Sequence, residues 1–523
     1  MELISFIILT VFFIAVWALC IHGSLHIFQL NSYKPYVQRK WVAEHMMEVV
    51  KKCWWLVLVM PCVMNLGWVG KLLACLPCAI TLWFNRPRKA KKPLVYTARV
   101  KRLAATLAIL HGIVVVLGFV SREYRSFFIM LYALAGICEN YLVLAANYIN
   151  KPIEKAINQH YISDAERIIK EMPNLKVIGV TGSYGKTSLK FFVGKLLGAK
   201  YNVLVTPESY NTTLGVVRTI RENMRPTHEV FVCEMGARNV GDIKEICDIV
   251  HPEAAIITSI GPQHLESFKS IENVTKTKFE LVDSLPADGV AYLNMDNEYI
   301  AKRPVSVGTV GYRLAPAGSE PYEGVYCGFD VSVSAKGSSF SLREPDGTVT
   351  QLSTRLIGEH NVLNICGAVA VARSMGVEMR DIIPRVRRLE SVPHRLELLG
   401  GGNRAIIDDA YNANPAGAKA ALGVLSQFDT LKILVTPGMV ELGEKQAELN
   451  REFGRQAAAV CDYVVLVGEK QTRPILDGLK SAGFDDSCMA VVESVQEAVA
   501  LADAFKPGLP RTILLENDLP DNY

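Results

Sequence analysis

Residues 181–188 read Thr-Gly-Ser-Tyr-Gly-Lys-Thr-Ser, a pattern suited to holding phosphate. Glycines let backbone N–H groups approach phosphate oxygens, and a helix N-terminus adds favourable partial charge. In such a loop Lys186 holds the β- and γ-phosphates of a nucleoside triphosphate, and Thr187 ligates its Mg²⁺. Gly182, Ser183, Gly185 and Ser188 complete the cradle. A β-branched run, LKVIGV at 175–180, precedes the loop and a helical pattern follows it, which is the strand–loop–helix order the motif requires. The strict motif asks for glycine at 180. This chain has Val180, with Gly179 one place away.

Further polar motifs follow in a fixed order. They are Tyr210-Asn211-Thr212-Thr213-Leu214-Gly215, Glu234-Met235-Gly236 at a strand end, Ile260-Gly261-Pro262-Gln263-His264, and Lys276-Thr277-Lys278. Asn294-Met295-Asp296, Gly358-Glu359-His360-Asn361, His394-Arg395-Leu396-Glu397 and Asp408-Asp409-Ala410-Tyr411-Asn412-Ala413-Asn414-Pro415 complete the series. In this order and spacing, over residues 175–510, the chain resembles the Mur ligase family, specifically its D-alanyl-D-alanine-adding branch.

The resemblance implies a chemistry. ATP's γ-phosphate passes to a carboxylate, and an amine attacks the resulting acyl phosphate. Both partners of the first step are anions, so cations must neutralise them. By resemblance, Thr187 and Glu234 form a first Mg²⁺ site and His264 ligates a second. Lys278 takes the position of the family's carbamylated lysine, an anionic metal ligand made from a cationic side chain. Lys186, His264 and Lys278 are the implied catalytic set. Asn294 and Asn361 match residues near the nucleotide base, while Arg395 and Asp409 match phosphate and ribose contacts. Asn211, Thr212, Tyr411, Asn412 and Asn414 are the candidates for contact with the acyl and amine substrates.

These residues need a scaffold, and the patterning supplies one. From 175 to about 390, strand-like runs alternate with helical ones, as in a parallel-sheet α/β domain. From 391 the rhythm restarts with RAIIDDAY, LKILVTPG, YVVLVG, CMAVVES and TILLEN, a second, Rossmann-like domain to 523. Pro393 and Gly400-Gly401-Gly402 lie at the boundary, suiting a hinge or a hairpin turn. Residues 151–174 read as a linker helix.

Residues 1–150 are different in kind. Mean hydropathy is +0.20 with 50% hydrophobic residues, and the excess is concentrated here. The fold class is therefore an α-helical membrane region followed by α/β. Apolar runs at 3–28, 54–84 (two short spans in a hairpin), 103–120 and 127–148 predict five transmembrane helices. The basic linkers 31–53 and 85–102 then fall on one side with the catalytic domains, which the positive-inside rule makes cytoplasmic, with the N-terminus outside. Localisation to the plasma membrane follows.

A net charge of +4 gives no nucleic-acid signal, and twelve scattered cysteines give no disulfide scaffold. Two departures from the family concern substrates. Residues 149–174 leave no room for the family's UDP-sugar-binding domain. The chain also ends Glu516-Asn517-Asp518-Leu519-Pro520-Asp521, where the branch carries a basic segment. An acidic end argues against the same carboxylate-bearing dipeptide. The expected partners are a small-molecule or lipid-linked acyl substrate and an amino acid or peptide amine. The alternatives are a tethered D-alanyl-D-alanine-adding ligase and an ATP-binding membrane scaffold without ligation. Transport is thinly supported, because the spans hold few ionisable residues beyond Lys71, His111 and Glu139.

Overall fold

The computed structural model describes all residues except 88–91, 263–264, 335, 412, 441 and 519–523; the side chains of 65, 265, 266 and 401 are also outside the description. Met1–Gln159 and His160–Asp518 form two compact units.

In the first unit, helix Glu2–Leu30 buries Phe6, Phe13, Val16 and Trp17 against Leu56, Val63, Cys78 and Tyr132. Among the described residues, three helices are long and apolar enough to cross a membrane: Glu2–Leu30, Gly67–Asn85 and Ala98–Val120. A fourth counts only if Arg122–Ile137 and Glu139–Lys170, bent by 85°, make one broken span. These three or four candidates stand against the expected five. The 54–84 hairpin does not form two spans, because Trp54–Leu58 is a 3₁₀ turn and Val59–Asn65 is a seven-residue helix ending where Gly67 adopts φ +51°. Seven helical residues reach about 10 Å, a third of a bilayer core. His111 Nε2 lies 3.2 Å from Glu139 and Lys71 pairs with the Glu2 carboxylate, so Lys71, His111 and Glu139 each have an opposite partner close by.

The second unit carries two sheets. The larger has nine strands: β1 (Lys176–Thr181), β2 (Val203–Val205), β3 (Val230–Glu234), β4 (Ala254–Ile257), β5 (Val290–Asn294), β6 (Gly308–Leu314), β7 (Tyr326–Ser334), β8 (Gly337–Arg343) and β9 (Val349–Thr354). Their order is β2-β3-β1-β4-β5-β6-β7-β8-β9. Strands through β7 pair in parallel. Their near-continuous apolar runs are what a sheet covered on both faces needs. Ile178 and Val180 face Leu189, Phe192, Val193 and Leu196 of helix Lys186–Leu197. Val177, Phe231, Cys233 and Ala255 face the opposite layer with Ile246 and Phe279. The alternation expected to run to 390 stops at β7, since β7–β8 and β8–β9 are antiparallel hairpins.

The smaller sheet holds β10 (Glu397–Gly401), β11 (Arg404–Asp409), β12 (Leu431–Thr436), β13 (Tyr463–Val467), β14 (Met489–Val492) and β15 (Arg511–Glu516). Their order is β10-β11-β15-β12-β13-β14, all parallel but β10. The glycine triplet ends β10 and enters the turn of the β10–β11 hairpin, with Gly400 at φ +79° and Gly402 at φ +65°. The core of this sheet takes Ile357 and Val333 from the first, so the two lobes pack directly.

Candidate nucleotide and metal site

Strand β1 lies between β3 and β4, so the direction of winding across the sheet reverses beside it, the place where such sheets leave a crevice beyond the C-terminal strand ends. The loop 182–185 fills that place. Gly182 has φ +149°, and a Cβ there would meet Thr258 Oγ1 at 2.0 Å. Only glycine lets the loop lie this close to the residues after β4. The displaced Gly179 has another purpose: its missing side chain makes room for Leu281, whose Cδ1 would lie 2.4 Å from a Cβ. Ser183 Oγ donates to the Gly261 carbonyl at 3.1 Å, and the Tyr184 hydroxyl donates to the Pro262 carbonyl at 3.1 Å. Gly185, φ +78°, starts the helix, and Ser188 is half-buried in its first turn.

Lys186 Nζ donates to the carbonyls of Gly182 (2.8 Å) and Ser183 (3.1 Å). Burial pushes its ammonium down to about 8, opposed by Glu234 and reinforced by Arg395 and Lys190. Thr187 Oγ1 donates to Glu234 Oε1 at 3.1 Å, bringing the two candidate ligands of the first cation into contact. Glu234 is fully buried at the end of β3. Burial alone would raise its carboxyl, but Lys190 and Lys186 outweigh that and hold it below the ordinary value. A buried carboxylate beside a hydroxyl fits a hard divalent cation such as Mg²⁺. Lys278, buried on helix Ile271–Asp283, is pushed well below the ordinary lysine value, first by burial and then by the charge of Lys186. His264 and Asn412 lie outside the described residues.

Several expected contacts serve the fold. Thr212 caps helix Thr213–Asn223 by accepting from Gly215 N–H at 3.2 Å, and Asn414 caps Pro415–Leu425 by accepting from Gly417 N–H at 2.8 Å. Such caps contribute about 1 kcal/mol each. Asn211 Nδ2 donates to Glu234 Oε1 at 2.9 Å, so it belongs to the cation cluster. Asn294 Nδ2 donates to the Thr258 carbonyl (2.6 Å) and Asn361 Nδ2 to the Ile357 carbonyl (2.9 Å). Asn364, one turn after Asn361, puts its amide against the phosphate loop, 3.1 Å from where a Gly185 Cβ would stand. Asn364 belongs to the same sequence motif as Asn361 but had no role assigned there; Lys190 escaped the sequence reading, although its spacing four residues after Lys186 was a usable signal.

Arg395 and Asp409 come from the smaller-sheet lobe. Their turn is strained, with His394 at φ +61° and Leu396 at φ +47°. It is held by His394 Nδ1 at 2.7 Å from Asp408 and by His394 N–H donating to Glu397 at 3.1 Å. The Arg395 guanidinium stacks 4.2 Å over the Tyr411 ring, and the Tyr411 hydroxyl bonds with Ser209 of the other lobe. The Tyr411–Ser209 bond and the charge that Arg395 exerts on Lys186 bring this turn toward the phosphate loop.

Of the acidic chain end, residues 519–521 lie outside the described residues. Glu516 is no surface recognition group: it is fully buried as the last residue of β15, in register with Asp409 of β11. Burial, then Asp409's charge, raises Glu516 well above the carboxylate range, and burial lifts Asp409 to about 6. A carboxyl whose folded value is raised binds more protons folded than unfolded, so stability falls as pH rises through the raised values, about 6 for Asp409 and well above the carboxylate range for Glu516. Glu516→Gln is expected to relieve this by on the order of 2 kcal/mol above pH 7 and to give no gain at pH 4. Thermal melts of both proteins at the two pH values check it; an equal gain at both would refute the coupling.

With this geometry in place, comparison with known proteins decides the family. The Mur ligase middle domain matches residues 180–372, and the Mur ligase glutamate ligase domain matches 394–515. The chain belongs to the Mur ligase family. It is 31% identical over 305 residues to the UDP-N-acetylmuramoyl-tripeptide–D-alanyl-D-alanine ligase of Escherichia coli K12, covering 58% of this chain and 66% of that one. The Bacillus subtilis 168 ligase of the same name is 32% identical over 282 residues, covering 53% and 59%. The chain thus spans about two thirds or less of these curated relatives. The crystal structure of MurF from Acinetobacter baumannii superposes with TM-score 0.61 at 27% identity, covering 69% of this chain and 77% of that one. The Thermotoga maritima MurF ligase in complex with ADP shares the fold, with TM-score 0.60 at 24% identity, over 69% of this Mur ligase and 80% of that chain.

Proposed function

We propose that this Mur ligase is a membrane-anchored, ATP-dependent, ADP-forming ligase of cell-envelope synthesis that joins a carboxylate to an amine. The observation that carries the reading is the convergence of Lys186, Thr187, Glu234 and Lys278 on the loop after β1, with Arg395 facing them from the second lobe. A carboxylate oxygen attacks the γ-phosphorus, ADP departs, and an acyl phosphate forms. The amine then attacks the acyl carbon, phosphate leaves, and the nitrogen gives up a proton.

Lys186 and the N–H groups of 182–187 bind and orient the triphosphate. Thr187 and Glu234 would hold one Mg²⁺, with His264 and a carbamylated Lys278 as ligands toward a second. Bound cations supply charge neutralisation between the two anionic reactants. The names of the relatives support peptide-ligase chemistry in peptidoglycan synthesis. The three membrane-length helices support anchoring, and with it an acyl substrate held at the membrane, such as a lipid-linked envelope precursor.

The test uses full-length protein in lipid with Mg²⁺ and bicarbonate. Phosphate release is followed as pools of amino acids, dipeptides and envelope-precursor extract are added. Release that requires both a carboxylate and an amine is the expected result. ATP binding with no stimulated release from any pool would instead favour the nucleotide-binding scaffold.

A further inference from the structure

Lys190 sits one helical turn beyond Lys186 with a fully buried side chain. Its Nζ lies 2.8 Å from Glu234 Oε2 and also donates to the Glu208 carbonyl. The two oxygens of Glu234 are held differently. Oε1 accepts hydrogen bonds from Thr187 and Asn211, while Oε2 has the Lys190 ammonium beside it with no donor aligned as a hydrogen bond. Oε2 is therefore the oxygen free to exchange partners.

The other contact of Lys190 leads elsewhere. Glu208 is a non-glycine residue at φ +41°, and its loop is stitched to the site by Asn211, whose carbonyl accepts from Gly236 N–H at 2.7 Å. The next residue, Ser209, bonds with Tyr411 of the second lobe. One ammonium thus touches both the carboxylate that would take a cation and the loop that meets the opposite lobe.

We propose that Lys190 is a positioning residue: its ammonium holds Glu234 in place for a divalent cation, yields Oε2 when that cation arrives, and pins the 206–211 loop through Glu208. This rests on the nucleotide-site reading above. An uncompensated buried carboxylate is strongly disfavoured, so some positive charge must stand at Oε2 whether or not a metal is present. Lys190 supplies it first and competes with the metal afterwards. Removing its charge takes away the cation beside Oε2, leaving the more distant Lys186 and the metal, and removes one anchor of the loop.

The experiment compares full-length wild type, Lys190→Arg and Lys190→Met in detergent. Calorimetry gives the Mg²⁺ half-saturation for ADP binding, and hydrogen exchange follows the 206–212 segment. For Lys190→Met we expect Mg²⁺ half-saturation to fall about five- to tenfold, as a competing charge is removed. Amide protection across 206–212 should drop about tenfold or more. Lys190→Arg keeps the charge and is expected within about twofold of wild type in Mg²⁺ dependence. Lys190→Gln removes the charge but retains a donor for Glu208, and carries the test if the methionine variant does not fold. A charge-removed variant with unchanged or weaker Mg²⁺ binding would overturn the proposal, as would an unaltered 206–212 segment. Wild type that binds no Mg²⁺–ADP would instead refute the nucleotide-site reading.

Discussion

Lys186→Ala is expected to lower amine- and carboxylate-dependent phosphate release by about three orders of magnitude, the scale at which a lost charge contact to a transferring phosphoryl group is felt. Lys186 is held over the loop by the Gly182 and Ser183 carbonyls, at 2.8 and 3.1 Å, ready to turn toward phosphate oxygens. Its value of about 8 keeps it mostly protonated at neutral pH. An incoming polyanion favours the charged form further. The fold does not depend on this ammonium, because the carbonyls it caps belong to a loop already fixed by Ser183 and Tyr184. Melting temperature should therefore change little while ATP binding weakens. A variant retaining a tenth of wild-type turnover would remove Lys186 from the mechanism.

The second large effect is expected at Lys278, where Lys278→Ala should cost about two to three orders of magnitude in turnover if a metal ligand is lost. Burial and the nearby Lys186 charge keep the Lys278 amine well below the ordinary lysine value, which favours its neutral form. A neutral amine is the species that adds carbon dioxide, forming a carbamate and releasing one proton. The alanine variant leaves space for a small carboxylate, so millimolar acetate is expected to restore part of the rate while ammonium is not. Wild type should lose activity when bicarbonate and carbon dioxide are excluded. Rates indifferent to bicarbonate, with an alanine variant insensitive to acetate, would leave Lys278 as a buried structural residue.

Much of the site was legible because its signals are local. Thr181 to Ser188 encode strand, loop and helix within a few residues, and backbone geometry alone turns that into a phosphate cradle. The strands of the second lobe were likewise readable from their apolar runs between turns. Some candidates also carry a structural role that their motif does not announce. Asn414 and Thr212, singled out for substrate contact, each cap their own helix. The apolar run 54–84 looked like two spans, but composition does not register a 3₁₀ turn followed by a break at Gly67.

The sequence by itself determined the phosphate loop, the order of the catalytic motifs, the two α/β lobes and an apolar N-terminal region, because each is written in short-range pattern. Tertiary structure alone decided that Lys190 neutralises Glu234, that Asn364 rather than Asn361 faces the phosphate loop, and that Glu516 is a buried partner of Asp409. Those facts follow from strand order and register. Placing β1 between β3 and β4, and β15 beside β11, brings together side chains far apart in the chain. Desolvation then sets their charge, and burial is a property of the assembled core that no short stretch of residues specifies.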